Sequence, residues 1–579
     1  MVSKKNLLSI LPLFLIIVLA SFLRLLWLDR IPVAIGGDEL TYIFNAKAIF
    51  LTGSDISGTW NPLTAFIFHY PAYTTPQAEL SYFLFAPIVG FFNFSLFNAR
   101  ITAALFSILS VFLIYLLGKE LMGKRVGLLA GLIAAVNPWL IYVGRTSYEM
   151  IFAMFFYCLG LYILLKVKGW KILWSVPIFY LAFYSYIATK LIFIPFVLIS
   201  ITYCYFVVNK RKYLKQYLVV FLLSILIVGV YAFMLKQSPD LSRLGEIFTP
   251  NSPILVDQVD AIRKITMQSP LKNIFENKIT EYLMIIFTKM ANTTSFSYLF
   301  LSGDNFFSLF RHGLFYILDA AFLIFGLAAA YKRSAKVFFL LVSFVFIAIL
   351  PHVFHGTNLE NFTPHITLLF PFLIILIAVG IDEILLLCKN KRLFYAILSI
   401  IIGLYVVSVL YFLNIYFFQF PLQGFFDFHV RLFSKYTVLT GQTKQQVLVY
   451  SPNSSDIFKK YLFYSNNYNQ KTAMQIKTLY KMDKFDFANI KFMGCDNTID
   501  PTTISQTIIY DFNCGALKKE YKRIVIPRLS DGGQSYDIFN DKVCQSFNLQ
   551  RFPANLKISD FAIENQTAQK FCETFITNP

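Results

Sequence analysis

The sequence predicts an α-helical protein that crosses a membrane many times and ends in a small soluble α/β domain. The first observation is composition: 57% of the 579 residues are hydrophobic and only 14% are charged, whereas a soluble fold carries about a quarter charged residues. The second is that long apolar runs alternate with short clusters of Lys and Arg up to residue 417. The third is that Asn, Asp, Lys and Gln become frequent after residue 417. A single soluble enzyme is therefore excluded.

Eleven apolar runs are predicted to span the membrane, because a helix that rises about 1.5 Å per residue needs about 18 to 20 residues to cross the hydrocarbon. The first run lacks the small-residue cleavage site of a signal peptide and is interpreted as an anchor. The runs lie at 6–28, 99–118, 126–143, 148–165, 172–187, 190–208, 216–235, 313–331, 337–354, 365–387 and 393–417.

A further apolar stretch, 80–97, contains Pro87 and Gly90. Counting it as a span would break the alternation of loop charge, so we predict a juxtamembrane or re-entrant helix on the outer face.

The cations indicate the orientation of the chain. A formal net charge of +19 on a soluble protein would suggest a nucleic-acid partner. Here the short-loop cations lie almost entirely on the side of Lys4 and Lys5, and the opposite short loops hold only Arg145 and Lys190. Because cytoplasmic loops are enriched in Lys and Arg, we predict a cytoplasmic N-terminus, contact with membrane lipid and no nucleic-acid partner.

This orientation places three soluble segments outside the membrane. Residues 1–417 form the predicted membrane domain, with a first outer loop at 29–100 and a second at 236–312. Residues 418–579 form the predicted extracytoplasmic domain, in which short β-type runs alternate with a helical stretch. Such alternation is typical of a small α/β fold.

The cysteines support the outside placement of the C-terminal domain. Four of the seven lie in this domain, and an even number in an oxidising compartment suggests two disulfides. Four cysteines allow three pairings, of which we favour Cys495 with Cys514 and Cys544 with Cys572. Unpaired thiols are the alternative.

Three acidic residues stand at predicted outer ends of helices. Asp38 and Glu39 follow Gly36 and Gly37 at the head of an amphipathic segment, and Glu149 follows Arg145 by four residues. Carboxylates at a membrane boundary are costly unless they face water, a partner or a substrate. The alternative is structural: a helix cap and a first-turn anion for the first pair, and a local ion pair for Glu149.

Several motifs follow one another in a fixed order along the membrane part. They are Arg-Ile-Pro followed by Asp-Glu at 30–39, Asn-Ala-Arg at 98–100, Gly-Lys-Glu-Leu-Met-Gly-Lys-Arg-Val-Gly at 118–127, Asn-Pro-Trp at 137–139 and Tyr-Ser-Tyr-Ile-Ala-Thr-Lys at 184–190. This order resembles the GT-C glycosyltransferases, nearest to the branch of protein O-mannosyltransferases and aminoarabinose transferases of lipid A, and the resemblance is strongest over residues 6–200. It implies a GT-C fold and an inverting transfer of a hexosyl or pentosyl group from a polyprenyl-phosphate donor to a protein, lipid or glycan.

The resemblance also implies roles for residues that match its motifs. Asp38 is expected to be the general base that takes the acceptor proton, with Glu39 orienting it and Glu149 as the second outer-face acid, where an Asp is more usual. Cations that hold the leaving phosphate are expected at Lys190, Arg311 and Arg145, although Arg311 also suits a purely interfacial role.

A metal site is a weaker expectation. His352 and His355 are three residues apart, with Glu360 nearby, and imidazole and carboxylate suit a divalent cation such as Zn²⁺ or Mn²⁺. Polar contacts at the membrane interface are the alternative, and no other cofactor is expected.

A different class of function, a secondary transporter or lipid-linked-sugar flippase, also fits a protein with many spans. Transporters tend to show internal repeats and ionisable groups near the bilayer midplane. The sequence shows no internal repeat, and its candidate acids cluster at one face. This asymmetry favours chemistry at a surface over passage across the membrane. We expect that surface to be the outer face of a prokaryotic plasma membrane, within the cell envelope.

Overall fold

The computed structural model describes residues 4–57, 78–208, 211–237, 247–304, 307–309, 312–356, 360–423, 428–442, 445–517, 520–553 and 555–578. Helices cover the predicted apolar runs of the membrane part and also parts of the predicted outer loops. They are α1 (Lys4–Leu25), α2 (Gly37–Thr52), α3 (Glu79–Phe91), α4 (Leu96–Met122), α5 (Lys124–Val136), α6 (Pro138–Val143), α7 (Met150–Lys166), α8 (Ser175–Ser185), α9 (Phe193–Phe206), α10 (Leu214–Gln237), α11 (Pro253–Ile265), α12 (Lys272–Phe275), α13 (Lys278–Thr293), α14 (Ile317–Arg333), α15 (Ala335–Val353), α16 (Leu369–Leu387) and α17 (Lys391–Asn414).

Helix length and composition support an integral membrane protein with several passes. Within the described residues, six helical stretches are long and apolar enough to cross a membrane: Leu96–Met122, Ala188–Phe206, Arg211–Phe233, Ala335–Val353, Leu369–Leu387 and Lys391–Leu422. Shorter apolar helices cover Ile10–Leu25, Leu80–Phe91 and Met150–Lys166. The count of eleven crossings, and the juxtamembrane placement of α3, stay predictions.

Helices α14 and α16 pack very closely against each other. A Cβ atom on Gly326 would lie 1.9 Å from the carbonyl oxygen of Leu376, and one on Gly380 would lie 1.9 Å from that of Phe322. Only glycine permits so close an approach of two backbones, which is the usual way in which small residues pack membrane helices. By contrast, α17 is peripheral, and Val407 on it is 67% exposed, as suits a lipid-facing side chain.

The C-terminal part is the expected α/β domain. Its helices are α18 (Phe428–Gly441), α19 (Ser454–Tyr464), α20 (Ala473–Met482) and α21 (Ala568–Phe575). Its strands are β1 (Val447–Tyr450), β2 (Phe485–Phe487), β3 (Ile490–Met493), β4 (Thr507–Asp511), β5 (Ile524–Pro527) and β6 (Gln534–Phe539), in the sheet order β2-β3-β1-β4-β6-β5. Strand β1 is parallel to β3 and β4, and the outer pairs are antiparallel.

Both favoured disulfides are confirmed. Cys495 pairs with Cys514 and Cys544 pairs with Cys572. The three remaining cysteines, Cys158, Cys204 and Cys388, are free thiols in or next to membrane helices.

One end of the helix bundle, here called the domain face, packs against the C-terminal domain. The side-chain oxygen of Asn466 accepts a hydrogen bond of 2.9 Å from the backbone N–H of Phe94. Phe94 also packs on Phe463, with ring centroids 5.0 Å apart, and Phe44 stacks on Tyr468 at 4.7 Å. The C-terminal domain and the segment that contains α2 therefore share one aromatic core.

Candidate active site

The N-terminus of α2 brings Asp38 and Glu39 to the domain face, and the two carboxylates differ sharply in environment. Glu39 is fully buried, whereas Asp38 is exposed. The carboxylate of Glu39 accepts hydrogen bonds from the backbone N–H groups of Gly36, at 2.9 Å, and Ser147, at 2.5 Å. Glu39 thus ties the start of α2 to the turn before α7.

Burial also shapes the protonation of Glu39. Removal from water raises the pKa of its carboxyl above the usual value, and the nearby positive charge of Arg100 opposes that rise. Asp38 stays in contact with solvent. Of the two neighbours, Asp38 is therefore the one whose carboxylate can meet a ligand.

Tyr148 lies among the three predicted acids. Its hydroxyl is so close to Gly36 that a Cβ atom at that position would lie 2.9 Å from it, so a larger residue there would displace the Tyr148 side chain. The Tyr148 phenol interacts electrostatically with the carboxylates of Glu39, Asp38 and Glu149. The structure therefore brings Asp38, Glu39 and Glu149 together around one phenol.

Glu149 is mostly buried, with an exposed fraction of 9%. It stands immediately before α7 and makes a side-chain hydrogen bond with Tyr42 of α2. This contact across two elements is not the local ion pair with Arg145 that was the structural alternative.

Arg145 is fully buried, and its guanidinium is hydrogen-bonded to backbone carbonyl groups. Its guanidinium donates to the carbonyl oxygens of Leu23, at 3.1 Å, and Ile31, at 2.9 Å, and to the hydroxyl of Tyr416, at 3.2 Å. Its predicted contact with a donor phosphate has no support among these contacts, because burial and hydrogen bonding commit the guanidinium to the loop before α2.

Lys190 has a different environment. It lies on the helical turn Ala188–Ile192 and is partly exposed. Its Nζ atom is 4.0 Å from the ring centroid of Tyr231, 5.2 Å from that of Tyr184 and 5.3 Å from that of Phe183. Ring faces stabilise an ammonium charge and hold it at the mouth of the helices.

Arg311, the third predicted cation, lies outside the described residues. Asp304 follows Gly303 in a Gly-Asp pair that also resembles the family, but the sequence assigned it no role. This residue is nearly buried, and its carboxylate accepts hydrogen bonds from the backbone N–H groups of Phe307 and Thr363 and from the Thr363 hydroxyl. The partner Thr363 is 59 positions away in the chain, so no local pattern indicates this contact.

The second large loop reaches the acidic cluster. Phe307 packs edge-on against Tyr148, with ring centroids 5.0 Å apart, and also against Phe362 at 5.1 Å. The loop therefore forms one wall beside Asp38 and Glu149.

His352, His355 and His365 form a separate group. The rings of His355 and His365 are 4.5 Å apart, His352 is buried at the end of α15, and Glu360 is exposed. In the part of the chain that the structure describes, no group of three or more His, Cys, Asp or Glu side chains is arranged to hold a metal ion. The arrangement of His352, His355 and Glu360 thus gives the metal hypothesis no support.

Lys289 of α13 stabilises the turn that follows α15. Its ammonium donates to the carbonyl oxygens of His355, at 2.6 Å, and Gly356, at 2.9 Å, beyond the end of α15. Burial lowers the pKa of Lys289 to about 8.

A cleft of about 400 Å³ separates the bundle from the C-terminal domain. Its lining includes Asp29 and Phe94 from the membrane part and Arg431, Lys435, Tyr464 and Glu564 from the C-terminal part.

Comparison with known proteins supports the class of protein inferred from the motifs. Residues 78–235 match the model of the dolichyl-phosphate-mannose-protein mannosyltransferase family. The matched region begins just before α3 and ends within α10, and contains Arg100, Glu149 and Lys190. The predicted resemblance to GT-C membrane glycosyltransferases is thereby confirmed over this region. None of the curated proteins matches the chain.

Several solved structures resemble the chain at low sequence identity. The archaeal oligosaccharyltransferase AglB from Archaeoglobus fulgidus, in complex with an inhibitory peptide and a dolichol-phosphate, is 12% identical, with 93% of this chain and 75% of that chain covered and a TM-score of 0.44. ArnT from Cupriavidus metallidurans bound to undecaprenyl phosphate is 10% identical, with 91% and 97% covered and a TM-score of 0.46. The apo form of that ArnT is 11% identical, with the same coverage and a TM-score of 0.45.

Proposed function

We propose that the protein is an inverting glycosyltransferase that moves a hexosyl or pentosyl group from a polyprenyl-phosphate carrier to a hydroxyl or similar acceptor. The observation that carries the proposal is the exposed Asp38, held beside Glu149 and Tyr148 by its buried neighbour Glu39. The family match over residues 78–235 supports the lipid-linked donor, since the description of that family names a dolichyl-phosphate sugar.

Asp38 acts as the general base. Glycosyl transfer to a hydroxyl needs a group that takes the acceptor proton as the new bond forms. An exposed carboxylate at the start of a helix meets this requirement, and Glu39 fixes the backbone from which it projects. Glu149 is mostly buried and bonded to Tyr42, so it shapes the acceptor side of the pocket.

Lys190 acts on the donor side. A polyprenyl phosphate leaves with increased negative charge, which a nearby cation stabilises. Lys190 is partly exposed at the mouth of the helices, and the rings of Tyr231, Tyr184 and Phe183 hold its ammonium in place. Arg311 stays a second candidate for this role.

The site faces the outside of a prokaryotic plasma membrane, with the N-terminus in the cytoplasm. The distribution of loop cations supports this orientation. The two disulfides of the C-terminal domain support it independently, because disulfides persist in oxidising compartments.

The test uses the purified full-length protein and a panel of polyprenyl-phosphate sugars, with release of polyprenyl phosphate as the readout. Asp38→Asn should lower turnover about 10²-fold to 10⁴-fold, the usual contribution of a general base. Asp260→Asn, an exposed carboxylate on α11, is the matched control and should retain full turnover. The same assay with EDTA tests for a divalent cation.

Two outcomes would contradict the proposal. Full turnover by Asp38→Asn would remove the base assignment. No turnover by wild type with any donor would favour the transporter or flippase.

A further inference from the structure

The five residues immediately before the Gly36-Gly37 pair, here called the clamped segment (31–35), are held by hydrogen bonds from distant side chains. Arg145 donates to the carbonyl oxygen of residue 31 at 2.9 Å. Arg100 donates to those of residues 32 and 34 at 2.7 and 2.6 Å. The remaining two positions, 33 and 35, are bonded by the C-terminal domain.

Those two bonds come from Arg431 of α18 and Tyr464 at the end of α19. Arg431 donates to the carbonyl oxygen of Val33 at 2.7 Å, and the Tyr464 hydroxyl accepts from the N–H of Ile35 at 3.0 Å. The residues joined are 398 and 429 positions apart in the chain. The C-terminal domain is therefore bonded directly to the loop that leads to Asp38.

Arg431 is itself fixed by a carboxylate. Its Nε and Nη2 atoms donate to the two oxygens of Glu564, at 2.7 and 2.6 Å. Burial alone would raise the pKa of Glu564, but the Arg431 guanidinium holds that pKa below its usual value. A bidentate pair of this kind fixes orientation as well as charge.

The clamped segment lies close to the proposed base. Asp38 is three positions after Ile35, a reach of about 10 Å at most. The two intervening residues are Gly36 and Gly37, which restrict the backbone least of all residues. Anchors at positions 33 and 35 therefore limit where Asp38 can lie.

We infer that Arg431, Glu564 and Tyr464 are positioning residues through which the C-terminal domain fixes Asp38 in the active site. The inference goes beyond the proposed function and rests on it only where turnover is measured. A buried guanidinium is costly unless it is paired and hydrogen-bonded, and here the donors that Glu564 does not occupy include the one that binds the carbonyl oxygen of Val33. Here that charge is used to hold the catalytic loop.

The first test measures the position of the loop without requiring activity. A nitroxide spin label is attached at Asp38→Cys in full-length protein, with Cys158, Cys204 and Cys388 replaced by Ala. Tyr464→Phe removes only the hydroxyl that accepts from Ile35, so the spectrum should show a more mobile label. The control is Tyr461→Phe on the same helix, whose hydroxyl accepts from Asn467 at 3.1 Å, and its spectrum should match the parent. Equal spectra for both variants would overturn the inference.

The second test measures turnover. Tyr464→Phe and Glu564→Gln should each lower kcat about tenfold, because small displacements of a catalytic group are costly, while KM for the donor changes less than about twofold. Asp537→Asn is the matched control, since its ion pair with Arg523, at 3.2 Å, does not touch the loop. Glu564→Asp, which keeps the charge, should recover part of kcat.

The two tests separate the inference from the proposed function. Unchanged kcat in both clamp variants, with Asp38→Asn inactive, would overturn the inference and leave the function standing. Increased label mobility in Tyr464→Phe, with no turnover by wild type on any donor, would support the positioning role and contradict the function.

Discussion

The cations of the candidate site and of the clamped segment differ in what surrounds them. The arginines at positions 100, 145 and 431 are fully buried and donate to backbone carbonyls of the clamped segment. Lys190 is partly exposed and lies over the faces of three aromatic rings. Arg100, Arg145 and Lys190 all stand near the ends of membrane helices, so sequence position alone does not distinguish a cation that holds a loop from one that stays accessible. Burial and the choice of acceptor do.

The largest effect on stability is expected for a substitution among the buried arginines. Arg100→Met removes the donors to the carbonyl oxygens of Pro32 and Ala34, and buried acceptors left unpaired cost about 1 to 3 kcal/mol each. We expect a loss of about 3 kcal/mol in the free energy of unfolding, measured by thermal or denaturant unfolding in detergent. Unchanged stability would mean that the clamped segment is held without Arg100.

Glu564→Gln should cause the next largest loss in the free energy of unfolding, about 2 kcal/mol near neutral pH, because it breaks a charge-assisted bidentate pair. The pKa of Glu564 is lowered in the folded protein, so the stabilisation is present above its ordinary value of about 4.5 and is lost as pH falls through the lower, folded value. The difference in stability between wild type and variant should shrink in that acid range. A difference independent of pH would contradict the pairing.

Lys190→Met should affect binding rather than folding. Loss of one phosphate-binding charge should raise KM for the donor about tenfold, which corresponds to about 1.4 kcal/mol, without lowering the unfolding temperature. Lys190→Arg keeps the charge and should lie between wild type and Lys190→Met. A large loss of stability with unchanged KM would place Lys190 with the loop-holding arginines instead.

The smallest effect is expected for Tyr416→Phe. This change removes the hydroxyl that accepts from Arg145 at 3.2 Å but keeps the ring beneath the guanidinium. One hydrogen bond contributes about 1 kcal/mol, so the unfolding temperature should fall slightly while KM for the donor stays unchanged. A rise in that KM would show that Arg145 reaches the donor after all.

Much of the secondary structure followed from local pattern. Long apolar runs give helices because a backbone without water must satisfy its own hydrogen bonds, and each predicted run coincides with helix in the described residues. Short β-branched runs in the C-terminal region became β1, β4 and β5. Cysteine spacing led to the correct pairing, since both disulfides close short loops, of 19 and 28 residues.

The candidate site was only partly predictable. Asp38, Glu39 and Glu149 were found because acids at helix ends are conspicuous in an apolar sequence, and the structure brings them together around Tyr148. The difference in burial between Asp38 and Glu39 was not predictable from spacing. The sequence gives two adjacent carboxylates, and only packing makes one buried and the other exposed.

By itself, the sequence determined the helices, the soluble C-terminal domain, the disulfides and the resemblance to a class of enzyme, because these depend on local composition and motif order. Only the tertiary structure decided which charges are committed to the backbone and which stay exposed. The physical reason is that the partners of Arg431 and Tyr464 lie about 400 residues away in the chain. Contacts of that separation leave no periodicity or spacing in the sequence.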